Sequence, residues 1–251
     1  MPWDPELFLR FKNERFAPFV DLINLIPSRS GLKVIDLGCG TGELTSKLQD
    51  HLPNSTVIGI DSSPQMLEQA EKFKRKGLNF ELKKIEDVDE KFDLIFSHAA
   101  IHWVENHPSF LHKLFSMLNA DGQLAVQVPS NHSHPVFSII HEVASEEPFV
   151  SALNGWTQPE NVLSIAEYAD ILYKEGGKDI TVFEKVYPHV LEDSDALVQW
   201  TSATALVPYL DRLTEPLKQA FLNRYRSLVA ERFQSKPIFF GFRRTLFSAF
   251  V

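Results

Sequence analysis

Three alternate glycines follow an apolar segment near the start of the chain, and they constrain the fold more than any other feature. Residues 34–37 have the pattern of a short buried strand, Gly38, Gly40 and Gly42 come next, and a helical pattern begins at Glu43. Glycines at such a bend let backbone amides approach a ligand without a Cβ in the way, and the helix N-terminus adds a partial positive charge. The pattern therefore predicts a cofactor-binding turn between a strand and a helix.

The spacing of the glycines indicates the kind of cofactor. A dinucleotide-binding loop has its third glycine where this chain has Glu43, and an acidic residue there would repel a pyrophosphate. A ligand with an amino group and no phosphate suits the position. This points to S-adenosylmethionine (SAM) and disfavours an NAD-dependent dehydrogenase. Asp61 ends a second apolar strand about 20 residues later, where a carboxylate can accept hydrogen bonds from both ribose hydroxyls.

Together these segments resemble the class I SAM-dependent methyltransferases. The D-x-G-x-G-x-G run that begins at Asp36 is similar to the family's first motif. Asp61 and residues 62–67 match the second, with a helix cap, a proline and an apolar residue that can lie on adenine. The alternative is a glycine turn that serves packing alone. The resemblance implies a SAM site formed by Asp36, Gly38, Gly40, Gly42, Asp61, Ser62, Met66, Ile85, Glu86 and His98.

Strand and helix patterns alternate through the first half of the chain, which predicts an α/β fold. We expect a Rossmann-like, doubly wound, seven-stranded and mostly parallel sheet in one methyltransferase domain over residues 1–251, with an N-terminal cap segment at 1–16. The predicted strands are 33–37, 56–60, 79–84, 93–97, 122–128, 180–187 and 244–251, and the predicted helices are 17–26, 43–51, 64–76, 108–118, 134–147 and 164–176. Residues 192–236 separate the last two strands and carry helical periodicity. We expect this helical insertion to cover the substrate pocket, with a structural or dimerising flap as the alternative.

Further segments are similar to a narrower group, the trans-aconitate methyltransferases. They include the N-terminal Trp3-Asp4-Pro5, the strand exit 125–129 with Asn131, and the late segments 201–209 and 221–225. The resemblance implies O-methylation of a carboxylate on a small polycarboxylic acid. Its substrate-binding candidates are Trp3, Phe8, His102, Asn131, Tyr209 and Arg224.

Two positions depart from the family pattern. Lys84 stands where the family usually has an aspartate that binds the adenine amino group, and an ammonium cannot accept that hydrogen bond. Either Glu86 or Asp87 replaces the aspartate, or the backbone alone does. Val207 stands where close relatives have an arginine, so the acceptor is either less anionic or bound differently.

Histidines and arginines supply the remaining candidates. A carboxylate acceptor is already ionised and needs no general base, whereas an alcohol or amine would need one, for which His98 and His102 are candidates. No catalytic residue is assigned with certainty. No metal is expected, because His98, His102, His132 and His134 lack tight ligand spacing. The arginines available for anion capture are Arg10, Arg15, Arg224, Arg243 and Arg244, and a surface ion pair is the alternative for each.

Composition limits the partners. The formal net charge of −8 argues against a nucleic-acid substrate. With Cys39 as the single cysteine and neither a signal segment nor a membrane span apparent, we expect a cytoplasmic protein that is a monomer or a homodimer. The expected partner is a small carboxylic acid, with no nucleic acid and no membrane. Two alternatives remain, namely another small-molecule or carrier-bound acyl acceptor, and SAM binding without turnover.

Overall fold

The computed structural model describes the backbone of residues 12–251 and the side chains from residue 16 onward. Trp3, Phe8, Arg10 and most of the proposed cap segment 1–16 therefore lie outside the described residues, as does the side chain of Arg15. Their proposed contacts stay predictions.

The sheet has the doubly wound order expected from the sequence. Its strands are β1 (Lys33–Leu37), β2 (Thr56–Asp61), β3 (Leu78–Leu82), β4 (Phe92–His98), β5 (Leu118–Pro129), β6 (Lys178–Leu191) and β7 (Ile238–Phe250). They form one seven-stranded sheet in the order β3-β2-β1-β4-β5-β7-β6. Strands β1 to β5 pair in parallel, and β7 runs antiparallel to β5. The strand order reverses between β1 and β4, and ligands of such sheets bind beyond the carboxyl ends of the strands at that point.

The helices of the described residues follow the strands in the predicted alternation. They are α1 (Lys12–Ile23), α2 (Glu43–His51), α3 (Pro64–Ala70), α4 (His107–Ser116), α5 (Pro135–Ala144), α6 (Phe149–Ala152), α7 (Ile165–Lys174), α8 (Ser194–Ser202), α9 (Val207–Arg212) and α10 (Glu215–Arg232). Short 3-10 turns occupy Glu71–Phe73, Ile85–Asp87 and Ile101–Trp103.

The helix predicted at 64–76 ends early. Its α-helical part stops at Ala70, and after one 3-10 turn the chain becomes extended at Lys74. An antiparallel bridge then joins Arg75 to Leu78, with Gly77 in the left-handed region at φ +81°. This tight turn, which glycine adopts without steric cost, directs the chain into β3 and stops the helix.

The described backbone divides into two compact units. Among the described residues, the first comprises 12, 131–160 and 187–242, and the second comprises 13–130, 161–186 and 243–251. The helical insertion contains α8, α9 and α10 and lies in the first unit. Its helical structure agrees with the expectation from sequence, whereas its position over a substrate pocket stays a prediction.

Each unit has its own apolar core. In the second unit, alternate residues of each strand point to opposite faces of the sheet, so Ile35 and Ile95 join one buried cluster while Val34 and Phe96 join the other. In the first unit, one cluster combines α5, the insertion helices and the first part of β7, with Trp200 and Phe240 among its buried members. The second unit carries the predicted cofactor motifs.

Candidate active site

The glycine loop is pressed between β2 and the segment that follows β4. The backbone amides of Gly38 and Cys39 both donate to the carbonyl of Ile60, each at 2.9 Å. Gly38 has φ +77°, and a Cβ built on it would lie 2.2 Å from the Cβ of Ala100. Because no side chain fits there, the sequence needs glycine to bring the loop this close to the sheet edge.

Gly40 and Asp61 are joined at the side of the loop that is predicted to face the ligand. Gly40 has φ +54°, and a Cβ built on it would meet no atom within 4 Å, so this side of the loop is open. The Gly40 amide donates to Oδ2 of Asp61 at 2.9 Å, and the Ser63 amide donates to Oδ1 at 2.9 Å. An ionised carboxylate has about four lone-pair sites, so both oxygens can accept another hydrogen bond. Burial raises the pKa of Asp61, and the amide hydrogen bonds oppose that shift.

Asp36 lies buried beneath the loop. The Thr45 hydroxyl donates to its Oδ2 at 2.6 Å, which ties the end of β1 to the first turns of α2. Burial raises the pKa of Asp36 to about 7, the Thr45 hydrogen bond lowers it, and the charge of Asp61 raises it further. A bound cation would favour the ionised form of both carboxyl groups.

The remaining predicted cofactor residues lie around this loop with different degrees of burial. Met66 is buried near the start of α3, and its amide donates to the Oγ of Ser63 at 3.3 Å. The Cδ1 of Ile85 lies 3.8 Å from a Cβ built on Gly38, which places this side chain beside the loop. Ser62 and Glu86 are exposed, and the backbone carbonyl of Glu86 accepts a hydrogen bond from Lys113. Their adenine and ribose contacts stay predictions.

These residues fit SAM. An open face at Gly40, a carboxylate with free lone pairs and a buried carboxyl that gains from a nearby cation match a ligand with ribose hydroxyls, an ammonium group and a sulfonium. Asp61 would hold the ribose, Asp36 would compensate the positive charge, and the glycine loop would contact the methionyl part.

Of the two candidate bases, His98 is the last residue of β4, and His102 lies in the 3-10 turn that follows this strand. His98 is half-buried, and its ring packs edge-on against Phe19 with centroids 6.0 Å apart. Burial lowers the pKa of His102 to about 3, and the charges of Arg244 and His107 contribute to the shift. An efficient general base has a pKa near the operating pH, so His102 is poorly suited to remove a proton at neutral pH.

Three predicted substrate residues lie in the first unit, each with partners there. Asn131 is buried, and its carbonyl accepts from the His134 amide at 2.9 Å. The hydroxyl of Tyr209 accepts from the Gln158 amide at 3.0 Å. Arg224 forms a two-point ion pair with Glu146, at 2.8 Å from Nε and 2.6 Å from Nη2. Their roles toward a substrate stay predictions.

One buried polar pair in the second unit joins Arg244, a candidate for anion capture, to Gln127, which is not among the predicted site residues. Gln127 in β5 is fully buried, and its Oε1 accepts from Nη1 of Arg244 in β7 at 3.2 Å. The sequence carries a signal for it, because Gln127 interrupts the apolar run 124–128 and Arg244 begins the alternating run 244–251. Polar side chains at buried strand positions need partners, and they often mark a site.

The described residues contain neither a metal-binding cluster nor a membrane-spanning helix. From residue 16 onward, no group of three or more histidine, cysteine, aspartate or glutamate side chains is arranged to hold a metal ion. No helix between residues 12 and 251 is long and apolar enough to cross a membrane.

Comparisons with known proteins identify a methyltransferase domain in this chain. A family model described as a methyltransferase domain matches residues 28–175. The trans-aconitate 2-methyltransferase of Deinococcus radiodurans is 41% identical over 99% of this chain and 98% of its own length. The enzyme of the same name from Escherichia coli (strain ATCC 8739) is 34% identical over 92% of this chain and 90% of its own.

Solved structures share the fold at low sequence identity. The YcgJ protein of Bacillus subtilis superposes with a TM-score of 0.60 at 15% identity, covering 92% of this chain and 97% of that one. Phosphoethanolamine N-methyltransferase 2 of Haemonchus contortus, solved with SAM, gives 0.54 at 15% identity over 95% of this chain and 52% of its own. Fold, loop geometry and full-length relatives thus agree, and the chain belongs to the class I SAM-dependent methyltransferases, in the branch that contains the trans-aconitate 2-methyltransferases.

Proposed function

We propose that this enzyme transfers the methyl group of SAM to a carboxylate of a small polycarboxylic acid, with trans-aconitate as the first candidate. The observation that carries the proposal is the 41% identity to a trans-aconitate 2-methyltransferase over 99% of the chain. Similarity over that length includes the insertion as well as the cofactor motifs.

The chemistry of a carboxylate acceptor is consistent with the residues at the sheet edge. Bound SAM supplies an electrophilic methyl group: a new C–O bond forms, the C–S bond breaks, its electron pair remains on sulfur, and no proton moves. The protein must therefore align the acceptor and exclude water rather than remove a proton. A His102 with its pKa lowered to about 3 is compatible with that requirement.

We expect the two carboxyl groups of the site to bind the cationic cofactor more tightly than the neutral product that remains after methyl transfer. In this proposal Asp36 and Asp61 stabilise the cationic cofactor, and transfer converts its sulfonium to a neutral thioether. The product therefore loses a favourable interaction with these side chains, which assists its release. Glu86, Asp87 or the backbone supports adenine in place of the aspartate that Lys84 replaces.

The type of acceptor, the oligomeric state, the cellular location and the domain organisation belong to the same proposal. A formal charge of −8 supports a small-molecule acceptor over a nucleic acid. A monomer or homodimer in the cytoplasm, a single domain and a substrate-covering insertion at 192–236 stay predictions.

Methyl transfer from labelled SAM tests the proposal. The acceptor panel contains trans-aconitate, other di- and tricarboxylic acids, an acyl group on a carrier protein, and amines and phenols as controls. We expect label on trans-aconitate that alkali releases, as an ester requires. Label found only on the carrier or on a control compound would mean that the acceptor belongs to another class. SAM binding without transfer to any acceptor would indicate a binding protein.

A further inference from the structure

A buried threonine hydroxyl holds the carboxyl group of Asp36 beneath the glycine loop. Thr45 is fully buried, Asp36 is 3% exposed, and Oγ1 of Thr45 donates to Oδ2 of Asp36 at 2.6 Å. Hydrogen bonds from a hydroxyl to an ionised carboxylate have this short length, and they are roughly twice as strong as those between neutral groups. The contact therefore favours the ionised form of the carboxyl group.

The position of α2 brings Thr45 to this carboxyl group. Gly42 precedes the helix with φ +75°, and a Cβ built on it would lie 2.8 Å from both the Cβ of Ala70 and the Cζ of Phe80. Glycine therefore lets the helix begin close to these side chains, with Thr45 in its first turn. A threonine inside a helix often donates to the carbonyl four residues earlier, whereas the single hydroxyl proton of Thr45 is committed to Asp36.

The other surroundings of Asp36 oppose its ionisation. In the sheet register it stands opposite Gly59 of β2 and Phe96 of β4, neither of which titrates. Among the described residues, the charge that acts on it is that of Asp61, and the thiol of Cys39 stays neutral because burial raises its pKa. Burial raises the pKa of Asp36 to about 7, the hydroxyl hydrogen bond lowers it, and the charge of Asp61 raises it.

We propose that Thr45 is a positioning residue for the cofactor, because its hydroxyl keeps the Asp36 carboxylate oriented and ionised, and able to stabilise the positive charge of SAM at neutral pH. The inference rests on the proposed function in one respect, namely the assignment of Asp36 to the cation of the cofactor. It does not depend on which acceptor receives the methyl group.

Calorimetric binding of SAM over a range of pH tests the proposal, with Thr45→Val as the variant of nearly equal shape. Loss of a hydrogen bond to a charged group moves the midpoint of the pH profile upward by about 1–2 pH units. SAM must then bind a carboxyl that is mostly protonated at neutral pH. We therefore expect Thr45→Val to bind SAM about 5- to 50-fold more weakly than the wild type at about pH 7, and within about twofold of it at about pH 9.

Two further variants separate this role from a structural one. Thr45→Ser keeps the hydroxyl, so we expect it to restore the wild-type pH profile. Ser97→Ala is the matched control, because the Ser97 hydroxyl is also fully buried but donates to the backbone carbonyl of Leu37, at 3.0 Å. Its loss removes a buried hydrogen bond next to Asp36 in sequence and leaves every carboxylate with its partner. We expect lower stability and an unchanged pH midpoint of SAM binding.

The ionisation of Asp36 is also measured without cofactor. Nuclear magnetic resonance of protein labelled with ¹³C in its aspartate carboxyl groups follows the titration of Asp36 directly. We expect its midpoint to rise in Thr45→Val and to stay near that of the wild type in Thr45→Ser and Ser97→Ala. A merely structural defect would instead weaken SAM binding by the same factor at every pH.

The outcomes distinguish this inference from the proposed function. If Asp36→Asn binds SAM as tightly as the wild type at every pH, the assignment of Asp36 to the cofactor fails, and the inference fails with it. If Asp36→Asn binds weakly but Thr45→Val follows the wild-type pH profile, or is weaker by one factor at every pH, the role of Thr45 is overturned and the assignment of Asp36 stands.

The wild type alone carries the test if Thr45→Val does not fold. The proton resonance of the Thr45 hydroxyl then shifts with the same pH midpoint as the Asp36 carboxyl, because the two groups share a hydrogen bond. Separate midpoints, or a hydroxyl resonance that does not respond to pH, would overturn the proposal.

Discussion

At the scale of single residues, Asp36 has a carboxyl group that folding makes harder to ionise. Its pKa rises from 3.8 to about 7, chiefly because burial removes water from the carboxylate. The unfolded chain therefore loses this proton at lower pH than the folded protein does. The folded state gains from the protonated carboxyl at low pH, and that gain disappears as the pH rises from about 4 to about 7.

The variant Asp36→Asn tests this sign. An amide keeps an acceptor for the Thr45 hydroxyl and does not ionise, so without cofactor the variant gains stability relative to the wild type as the pH rises from 4 to 7. The difference in unfolding free energy grows by up to about 4 kcal/mol, at about 1.4 kcal/mol for each unit of pKa shift. Urea unfolding at several pH values measures it. Parallel pH dependences of the two proteins would contradict the raised pKa.

Individual residues also differ in how far the sequence alone predicts their place in the site. Gly38, Gly40 and Asp61 are local signals, because each stands next to a strand that its own neighbours identify. The Thr45–Asp36 and Arg244–Gln127 hydrogen bonds join residues 9 and 117 positions apart. The second of these depends on how β5 and β7 pair, and no local pattern specifies that register.

At the scale of elements, strands with local signals were predicted more closely than those that depend on distant packing. Strand β1 matches its predicted bounds of 33–37. Strand β7 begins at Ile238, six residues before the predicted start at 244. Pro237 and Gly241 suggest a loop in that stretch, yet Phe240 and Phe242 extend the strand because their rings pack in the core of the first unit. Tertiary packing overrides local propensity here.

The longest described helix of the insertion, α10, is joined to its neighbours by a buried hydroxyl. The hydroxyl of Tyr225 contacts Oγ1 of Thr201 at 3.0 Å and the carbonyl of Val136 at 3.2 Å. We expect Tyr225→Phe to lower the unfolding free energy by about 1–2 kcal/mol, because it leaves a buried acceptor unsatisfied. Tyr173→Phe is the control, since Tyr173 is 74% exposed and its change stays within about 0.5 kcal/mol. Equal unfolding free energies of the two variants in urea would contradict the inferred network.

At the scale of the whole molecule, the cofactor motifs are confined to one compact unit. The glycine loop, Asp61, His98 and Arg244 all belong to the second unit, whereas the insertion belongs to the first. A ligand that binds only the folded state stabilises it by mass action. The response of thermal unfolding to SAM therefore reports whether one unit or the entire chain unfolds with the site.

The last prediction concerns that response. At about 100 times its dissociation constant, SAM stabilises the folded state by about 2.7 kcal/mol, which raises Tm by roughly 5–10 °C for a protein of this size. Asp61→Ala loses hydrogen bonds to the ribose worth about 1.5–3 kcal/mol, so at the same SAM concentration its Tm shift falls below half. The control is Asp50→Ala, because Asp50 is exposed and pairs with Arg75 outside the loop. In calorimetry, one shifted transition means that the chain unfolds cooperatively, and a second, unshifted transition means that the first unit unfolds separately. If Asp61→Ala and Asp50→Ala responded equally to SAM, the assignment of Asp61 to the ribose would be wrong.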